Sequence, residues 1–350
     1  MKFLRIFLLL LLATCNFVHG DLKTPCHFIF GDSLFDVGNN NQLITFAKAN
    51  YLPYGVDFPG NVANGRFTNG LTIADVLTKL LGIEEFIQPF TTASDIESLK
   101  GVNYASGSSG IRPESGSHLG DRVWLAKQVL NHGLTVEKLQ PYVKGPVPEY
   151  LNKCLYTVNI GSNDYINNYY MPQYYPSMAT FNLDQFATEL ITEYGQQLKS
   201  LYTYGARKIA IFGLGQIGCT PAEIRMNKAI QCVEEINKAV MLFNEKLILL
   251  IDYLNVNLIG AKLTYIDTIA IQSASPPPPG FNVVDTCCKV TSDFQCEPNF
   301  PPCPNRNYYA FMDGYHPTEV INLQTAQAAF IATNCTFVRP VDINTLANLL

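Results

Sequence analysis

The amino-acid sequence predicts an α/β fold built on one doubly wound, mainly parallel sheet. Three observations predict it: short apolar runs rich in β-branched and aromatic residues, longer segments with the apolar spacing of helices, and the alternation of the two along the 350-residue chain. Parallel neighbours need a crossover connection, which is usually a helix, so helices should cover both faces of the sheet. Ligands should then bind beyond the carboxyl ends of the strands.

Five short apolar runs predict buried strands, and five longer segments predict helices. The strands are expected at residues 27–30, 102–105, 155–160, 208–212 and 263–266, and the helices at 71–81, 123–139, 183–204, 232–254 and 318–331. There is no internal repeat and no Gly/Ser linker. The four prolines at 276–279 predict a stiff loop, because proline lacks the N–H that helix interiors and ladders require. We therefore expect a single domain.

Residues 1–20 have the pattern of a secretory signal peptide. Lys2 and Arg5 precede an apolar run at 6–13, and Val18 and Gly20 follow at the spacing of a small-residue cleavage site. The run is too short to span a hydrocarbon layer of about 30 Å, and no later run reaches about 18 apolar residues. We expect a secreted, extracellular protein without a stable membrane anchor, whose single domain occupies residues 21–350.

Composition and charge exclude other classes. Apolar residues make up 47% of the chain and charged residues 15%, which is typical of a globular protein and not of a disordered one. The formal net charge is −5, and the sequence has no cluster of Lys and Arg. A nucleic-acid partner is disfavoured, because neutralising phosphates requires a basic surface.

The ten cysteines fit a protein made in an oxidising compartment. Cys15 lies in the predicted signal peptide, and of the nine others we expect most to form disulfides, with one left over. Zinc binding is the alternative for the four cysteines within 287–303, but their spacing lacks paired C-x2-C ligands, so no metal is predicted. Asn334 opens a sequon and is a candidate glycosylation site.

Ser33 is the candidate nucleophile, because it lies in the turn that ends the first predicted strand. A hydroxyl is a poor nucleophile at neutral pH and needs a base, usually an imidazole that a carboxylate orients. His316 and Asp313 are the candidate base and orienting carboxylate, since their three-residue offset allows one turn to hold both side chains. The alternative is that Asp313 or Thr318 only caps the helix that follows.

Two further turns offer donors for the oxyanion of a tetrahedral intermediate. Gly107, within residues 103–110, can bring its backbone N–H close to a ligand because it has no side chain. Asn163 follows the third predicted strand and offers an amide donor that cannot act as a base. Glycine and asparagine are also common in ordinary turns, so the alternative for each is a purely structural role.

Residues 213–218 match the dinucleotide-binding pattern G-x-G-x-x-G, but the match lacks its context. The fingerprint should be followed about 20 residues later by an acidic residue at a strand end. Here Glu234 and Glu235 fall within a predicted helix. The nucleophile-elbow pattern G-x-S-x-G, a Walker loop and H-E-x-x-H are all absent from the sequence. We therefore predict no nucleotide, metal or other cofactor.

Seven blocks span nearly the whole chain after the signal peptide: FGDSLFDVGNNN from Phe30, PYGVDFPG from Pro53, NGRFTNGLTIADVL from Asn64, GVNYASGSSGI, VNIGSNDY, GLGQIGCTP and FMDGYHPTE. Together they resemble the GDSL or SGNH hydrolases, most of all the secreted plant GDSL esterase/lipase group. The resemblance implies a flavodoxin-like, three-layer α/β/α sandwich, the SGNH hydrolase fold.

The resemblance also implies roles for individual residues. Ser33 would be the nucleophile, His316 the general base and Asp313 its orienting carboxylate. The Ser33 and Gly107 N–H groups and the Asn163 side chain would form the oxyanion hole. The implied reaction is two-step acyl transfer from a small-molecule or polymer-linked ester.

Two departures from the family pattern affect smaller features. The family commonly has Cys-Cys-Gly where this chain has Cys287-Cys288-Lys289, which leaves the local disulfide pattern open. Met312 stands where the family often has tryptophan. The resemblance further implies that Cys219 is disulfide-bonded.

Two other functions remain compatible with these residues. An acyltransferase would use the same triad, with an alcohol or sugar replacing water in the second step. A catalytically silent binding or defence protein would keep the scaffold, but should have lost a triad residue, and Ser33, Asp313 and His316 are all present. The tyrosine-rich segment 167–175 is either an aromatic rim for substrate or a packed surface loop.

Overall fold

A five-stranded sheet lies at the centre of the computed structural model, which describes residues 24–274 and 278–349. The strands in chain order are β1 (His27–Gly31), β2 (Leu155–Asn159), β3 (Lys208–Phe212), β4 (Lys262–Ile266), β5 (Asn282–Thr286), β6 (Tyr309–Phe311) and β7 (Val338–Arg339). Strands β1 to β4 are parallel neighbours in that order, and β7 pairs antiparallel with β4 at the edge. Strands β5 and β6 form a separate small sheet.

Helices cover both faces of the central sheet. They are α1 (Ile73–Leu80), α2 (Leu125–Leu139), α3 (Val147–Leu151), α4 (Ser162–Asp164), α5 (Ser177–Thr180), α6 (Leu183–Thr203), α7 (Pro221–Met226), α8 (Glu234–Asn257), α9 (Thr268–Ser273), α10 (Glu319–Phe330) and α11 (Ile343–Ala347). Phe28 and Tyr156 pack with α2, α6 and α8 on one face, while their neighbours Ile29 and Leu155 pack with α1, α10 and α11 on the other. The predicted three-layer α/β/α sandwich with a mainly parallel sheet is confirmed.

Capping boxes define where two of the main helices begin. Thr72 accepts the N–H of Asp75 before α1, and the Asp75 carboxylate accepts the N–H of Thr72 in return. Asn182 and Gln185 make the same reciprocal pair before α6. Each pair satisfies two backbone donors that the first turn of a helix leaves without partners.

The carboxyl ends of β1 and β2 lie side by side. The two strands pair in register from His27 and Leu155 to Gly31 and Asn159. A Cβ atom on Gly31 would lie 2.5 Å from the Asn159 carbonyl oxygen, so only glycine allows this close approach. The loops that follow the two strands therefore emerge next to each other, at the edge where a ligand is expected.

Most of the predicted elements are present, with ends shifted by a few residues. The exception is the segment 102–105, which forms isolated bridges at Asn103 with β1 and with Pro89 in place of a full strand. It still lies beside β1, because the Ile29 N–H donates to the Val102 carbonyl at 3.0 Å and the Tyr104 N–H to the Ile29 carbonyl at 2.7 Å. The Asn103 side chain accepts the N–H of Ala105 at 2.9 Å, a local hydrogen bond of the kind that competes with a regular ladder. The short strands β5, β6 and β7 were not predicted.

Four disulfides confirm the prediction that most cysteines are paired. They join Cys26 to Cys154, Cys219 to Cys232, Cys287 to Cys303 and Cys288 to Cys296. Cys335 is a free, exposed thiol. The zinc alternative fails for the segment 287–303, because its four cysteines are bonded to one another.

Several predicted features lie outside the described residues. They are the signal peptide at 1–20 with Cys15, and Pro276 and Pro277 of the proline run. Within the described ranges, no helix combines the length and apolarity that crossing a membrane requires.

Candidate active site

Ser33 lies in a tight turn that leaves β1. The Asp32 carbonyl accepts the N–H groups of Phe35 at 3.1 Å and Asp36 at 2.9 Å, so the chain turns directly after the strand. Ser33 is half-buried, whereas Asp32 is fully buried. The backbone N–H of Ser33 has no acceptor among the described residues. The turn thus presents both the hydroxyl and the amide of Ser33 at the end of the sheet.

His316 connects Ser33 to Asp313. His316 Nε2 lies 2.8 Å from Ser33 Oγ, although the two residues are 283 positions apart. His316 Nδ1 lies 2.7 Å from Asp313 Oδ2 and 2.9 Å from Oδ1. The Asp313 side chain is fully buried, and the imidazole packs against the Phe67 ring with centroids 4.8 Å apart. The three candidate residues form one continuous hydrogen-bonded chain.

Asp313 does not cap the helix that follows it. Its Oδ1 accepts the backbone N–H of His316 at 2.8 Å, which shapes the loop after β6. Thr318 precedes α10 but makes no side-chain cap, and the N–H of Glu319 donates instead to Asn69 Oδ1 at 2.8 Å. The Asp313 side chain is therefore turned toward the imidazole, and Asn69, which is distant in sequence, accepts a backbone N–H from the first turn of α10.

Asn163 lies in the loop after β2, in the short helix α4. Its Nδ2 donates to the Ser109 carbonyl at 3.0 Å, and its Oδ1 accepts from Asn167 Nδ2 at 2.6 Å. An amide nitrogen carries two hydrogens, so one N–H of Asn163 stays available while the other holds the group in place.

Gly107 is placed differently from what the oxyanion-hole prediction requires. Its N–H donates to Asp36 Oδ2 at 2.9 Å, and its carbonyl accepts from Asn40 Nδ2 at 3.0 Å. A Cβ atom on Gly107 would lie 2.8 Å from the Phe67 ring, which explains the glycine by close packing. The next residue, Ser108, has φ = 60° and an N–H without an acceptor in the described part of the chain.

Three buried carboxyl groups surround the site. Burial raises the pKa of Asp32 to about 7 and the pKa of Asp36 and of Asp164 to about 6. Hydrogen bonds oppose this effect: backbone N–H groups donate to all three, and the Ser115 hydroxyl donates to Asp164 at 2.6 Å. These carboxyl groups hold the loops around Ser33 in place. Asp36 and Asp164 each accept hydrogen bonds from several donors, and Asp32 lies within the turn that carries Ser33.

The other histidines of the described residues are separate from Ser33. His27 bonds Thr78 and Thr157 inside the sheet, and His132 lies in an aromatic cluster on α2. Burial lowers the pKa of both to about 3, so they are neutral structural groups. His118 stacks on the exposed Tyr174 at 4.9 Å.

The remaining sequence motifs have local structural partners. In the loop 213–218, the N–H groups of Leu214 and Gly218 donate to Asn244 and Asn237 on α8, so this loop does not cradle a phosphate. In the segment 167–175, Tyr169 and Tyr175 are buried and Tyr174 is exposed, so the segment is mainly a packed loop. The Asn334 side chain is exposed and accepts the N–H of Thr336.

Two residues of the site were assigned no role from the sequence. Asp36 binds the Gly107 turn, and Tyr54 donates from its hydroxyl to Asp313 Oδ2 at 2.5 Å. Both lie within the quoted blocks FGDSLFDVGNNN and PYGVDFPG. A polar residue at full burial is a signal for such a role, but burial itself is not readable from those blocks.

Comparisons with known proteins agree with this architecture. Residues 28–329 match the family described as GDSL-like Lipase/Acylhydrolase. Three relatives from Arabidopsis thaliana, each named a GDSL esterase/lipase, are 44%, 42% and 45% identical to this chain. The alignments cover 95%, 100% and 96% of this chain and 95%, 99% and 94% of the relatives.

Among solved structures, the OSK domain of Drosophila Oskar is matched with a TM-score of 0.26 and 14% identity. The match covers 59% of this chain and 67% of that chain, and the likeness is too slight to bear on fold or function. The family match and the near-full-length relatives carry the assignment. The chain belongs to the GDSL-like lipase/acylhydrolase family of carboxylic ester hydrolases.

Proposed function

We propose that the protein is a secreted serine esterase or lipase that hydrolyses carboxylic esters through an acyl-enzyme intermediate. The observation that carries the proposal is the chain of contacts from Ser33 Oγ to His316 Nε2 at 2.8 Å and from His316 Nδ1 to Asp313 Oδ2 at 2.7 Å. A hydroxyl, an imidazole and a buried carboxylate in this order are the parts of a nucleophile with its general base.

The reaction follows from the positions of these groups. Ser33 Oγ attacks the ester carbonyl while His316 Nε2 takes its proton, and Asp313 stabilises the imidazolium that forms. His316 then returns the proton to the leaving alcohol, which leaves an acyl group on Ser33. Water attacks this acyl-enzyme, His316 takes a proton from the water, and the acid is released with Ser33 restored.

The oxyanion needs donors beside Ser33 Oγ. The Ser33 N–H and the second N–H of the Asn163 amide are unoccupied in the described residues. The family resemblance assigns the third donor to Gly107, but that N–H is directed at the carboxylate of Asp36. We assign the third donor to the adjacent N–H of Ser108, and Gly107 then sets the turn by packing against Phe67.

We further propose the maturation that the sequence predicts, with residues 1–20 removed as a signal peptide and residues 21–350 forming one domain. The four disulfides support export, because such bonds persist in oxidising compartments. Exposure of Asn334 supports its glycosylation. The two core clusters on opposite faces of one sheet support a single domain.

Labelling with a fluorophosphonate probe tests the mechanism. Wild-type protein should be labelled at Ser33 and should hydrolyse short-chain aryl esters. Ser33→Ala should lose both properties, while the control Ser200→Ala, on α6, should keep them. A folded Ser33→Ala protein with the wild-type rate would exclude the mechanism. Product analysis with competing alcohols distinguishes hydrolysis from acyl transfer to an acceptor.

A further inference from the structure

We propose that Tyr54 is a positioning residue of this active site, whose hydroxyl holds the Asp313 carboxylate in the orientation that receives His316. The inference rests on the proposed function, because it concerns the same proton transfer. Tyr54 lies 259 residues before Asp313 in the chain, in the loop that follows the cis Leu52–Pro53 peptide bond.

The hydrogen bond between Tyr54 and Asp313 is short and buried, and it is made to the carboxylate oxygen that lies closest to His316. Tyr54 Oη donates to Asp313 Oδ2 at 2.5 Å, and the same Oδ2 lies 2.7 Å from His316 Nδ1. Tyr54 and Asp313 both have 0% exposure, so bulk solvent does not compete for this hydrogen bond. Within the described residues, Tyr54 and His316 are the two side chains that hydrogen-bond to Asp313.

A backbone donor on the side away from Asp313 fixes the direction of the Tyr54 hydroxyl. The N–H of Cys296 donates to Tyr54 Oη at 3.0 Å, so the hydroxyl hydrogen is free to point at Asp313. Tyr51 Oη donates to the Cys296 carbonyl at 3.0 Å, so a second tyrosine holds the same residue through the next peptide group. The disulfide to Cys288 ties this segment to the loop before Asp313, because the N–H of Cys288 donates to the Met312 carbonyl at 2.9 Å.

A hydrogen bond to an ionised carboxylate is stronger than one between neutral groups, and it spreads the negative charge. Burial and the charge of Asp313 raise the pKa of Tyr54 well above its usual range, so the phenol stays a donor. Without the hydroxyl, the Asp313 carboxylate is less constrained, which should slow catalysis. Its charge is also less dispersed, which should stabilise the imidazolium that forms during catalysis.

The other charged groups near this network do not change in a Tyr54 variant. Asp32 interacts with His316, and Asp293 lies near Tyr51 and Tyr315. A shift of the pH profile on removing one hydroxyl therefore reports on the Tyr54 contact.

The test is Tyr54→Phe, with kcat and KM for a short-chain aryl ester measured across pH and normalised by fluorophosphonate titration of active sites. We expect kcat to fall by about 10- to 100-fold with little change in KM. We also expect the acid limb of kcat/KM to move to higher pH. The control Tyr104→Phe removes another buried hydroxyl, bonded to Thr135 at 2.8 Å, and should keep kcat and the pH profile.

If Tyr54→Phe does not fold, 3-fluorotyrosine incorporated at position 54 keeps the shape and strengthens the donor, and should move the acid limb to lower pH. The inference is overturned by a wild-type kcat per titrated site in Tyr54→Phe, or by an acid limb that stays in place in either variant. Absence of any fluorophosphonate reaction at Ser33 in the wild-type protein would instead overturn the proposed function.

Discussion

The backbone N–H of Gly107 donates to the carboxylate of Asp36 at 2.9 Å, inside a region closed to solvent. The other oxygen of Asp36 accepts the N–H groups of Gly38 at 2.7 Å and Asn39 at 2.8 Å. One side chain thus joins the turn that carries Ser33 to the turn at Gly107, which follows the segment 102–105. We therefore expect the spacing between Ser33 and the proposed oxyanion donors to depend on this carboxylate.

Asp36→Asn should therefore lower kcat by about 10-fold or more, because an amide has only one acceptor oxygen and would turn an N–H toward a backbone donor. A buried donor without a partner costs roughly 1–3 kcal/mol. The measurement is kcat per titrated active site, and Asp184→Asn on the exposed start of α6 is the control. Equal rates for Asp36→Asn and the wild type would show that Asp36 does not position the site.

A structure of the protein after reaction of Ser33 with a phosphonate should show which amides bind an oxyanion. The phosphoryl oxygen is expected within hydrogen-bond distance of Ser33 N, Ser108 N and Asn163 Nδ2, with the Gly107 N–H still on Asp36. The reason is that the Gly107 N–H already has a buried acceptor and the Ser108 N–H has none among the described residues. A Gly107 N–H that turns from Asp36 to the phosphoryl oxygen would return the third donor to Gly107.

Asn163→Ala should lower kcat by about 100-fold, the usual effect of losing one oxyanion donor, with a smaller change in KM. The amide is held by Ser109 and Asn167, so its free N–H is already oriented before substrate arrives. Steady-state kinetics on the folded Asn163→Ala protein measure kcat and KM separately. A loss confined to KM would mean that Asn163 binds substrate and transition state equally.

The fold and the contact of Ser33, His316 and Asp313 could be predicted because each leaves a local signal in the sequence. Short apolar runs mark β1 to β4, Ser33 follows the first of them directly, and Asp313 and His316 share one turn. The segment 102–105 lies beside β1 and hydrogen-bonds to it, but it forms isolated bridges at Asn103 in place of the predicted strand. The Asn103 side chain bonds its own backbone two residues on, which competes with a regular ladder. No periodicity announces a two-residue strand such as β7.

The supporting residues could not be predicted for a different reason. Asp36 acts on a residue 71 positions away and Tyr54 on one 259 positions away. Aspartate and tyrosine are also ordinary loop residues, so their type alone indicates nothing. Only the folded chain shows that both are fully buried and which donors and acceptors they meet.

Glu223 should make stability depend on pH. Burial raises its pKa from 4.5 to about 7, although Asn227 donates to it. A carboxyl whose pKa is raised on folding binds its proton more tightly in the folded chain, so its contribution to stability is present at low pH and is lost as pH rises from about 4.5 to about 7. The Tm of Glu223→Gln relative to wild type should rise across that interval. A constant difference in Tm would contradict this.

Two disulfides close short segments of the chain but lie in different surroundings. Cys288–Cys296 closes a separation of 8 residues and Cys219–Cys232 one of 13 residues. Replacing both cysteines of either pair by serine should lower Tm, because the cross-link restricts the unfolded chain.

Only the loss of Cys288–Cys296 should also lower kcat per titrated active site, because the Cys296 N–H donates to Tyr54 Oη and Tyr54 in turn holds Asp313. The Cys219–Cys232 double variant is the matched control, since its cysteines make no hydrogen bond to Tyr54, Asp313 or His316 among the described residues. Thermal unfolding separates the stability effect, and active-site titration separates the catalytic one. Equal kcat values in the two double variants would mean that the Cys288–Cys296 bond stabilises the fold without orienting the carboxylate.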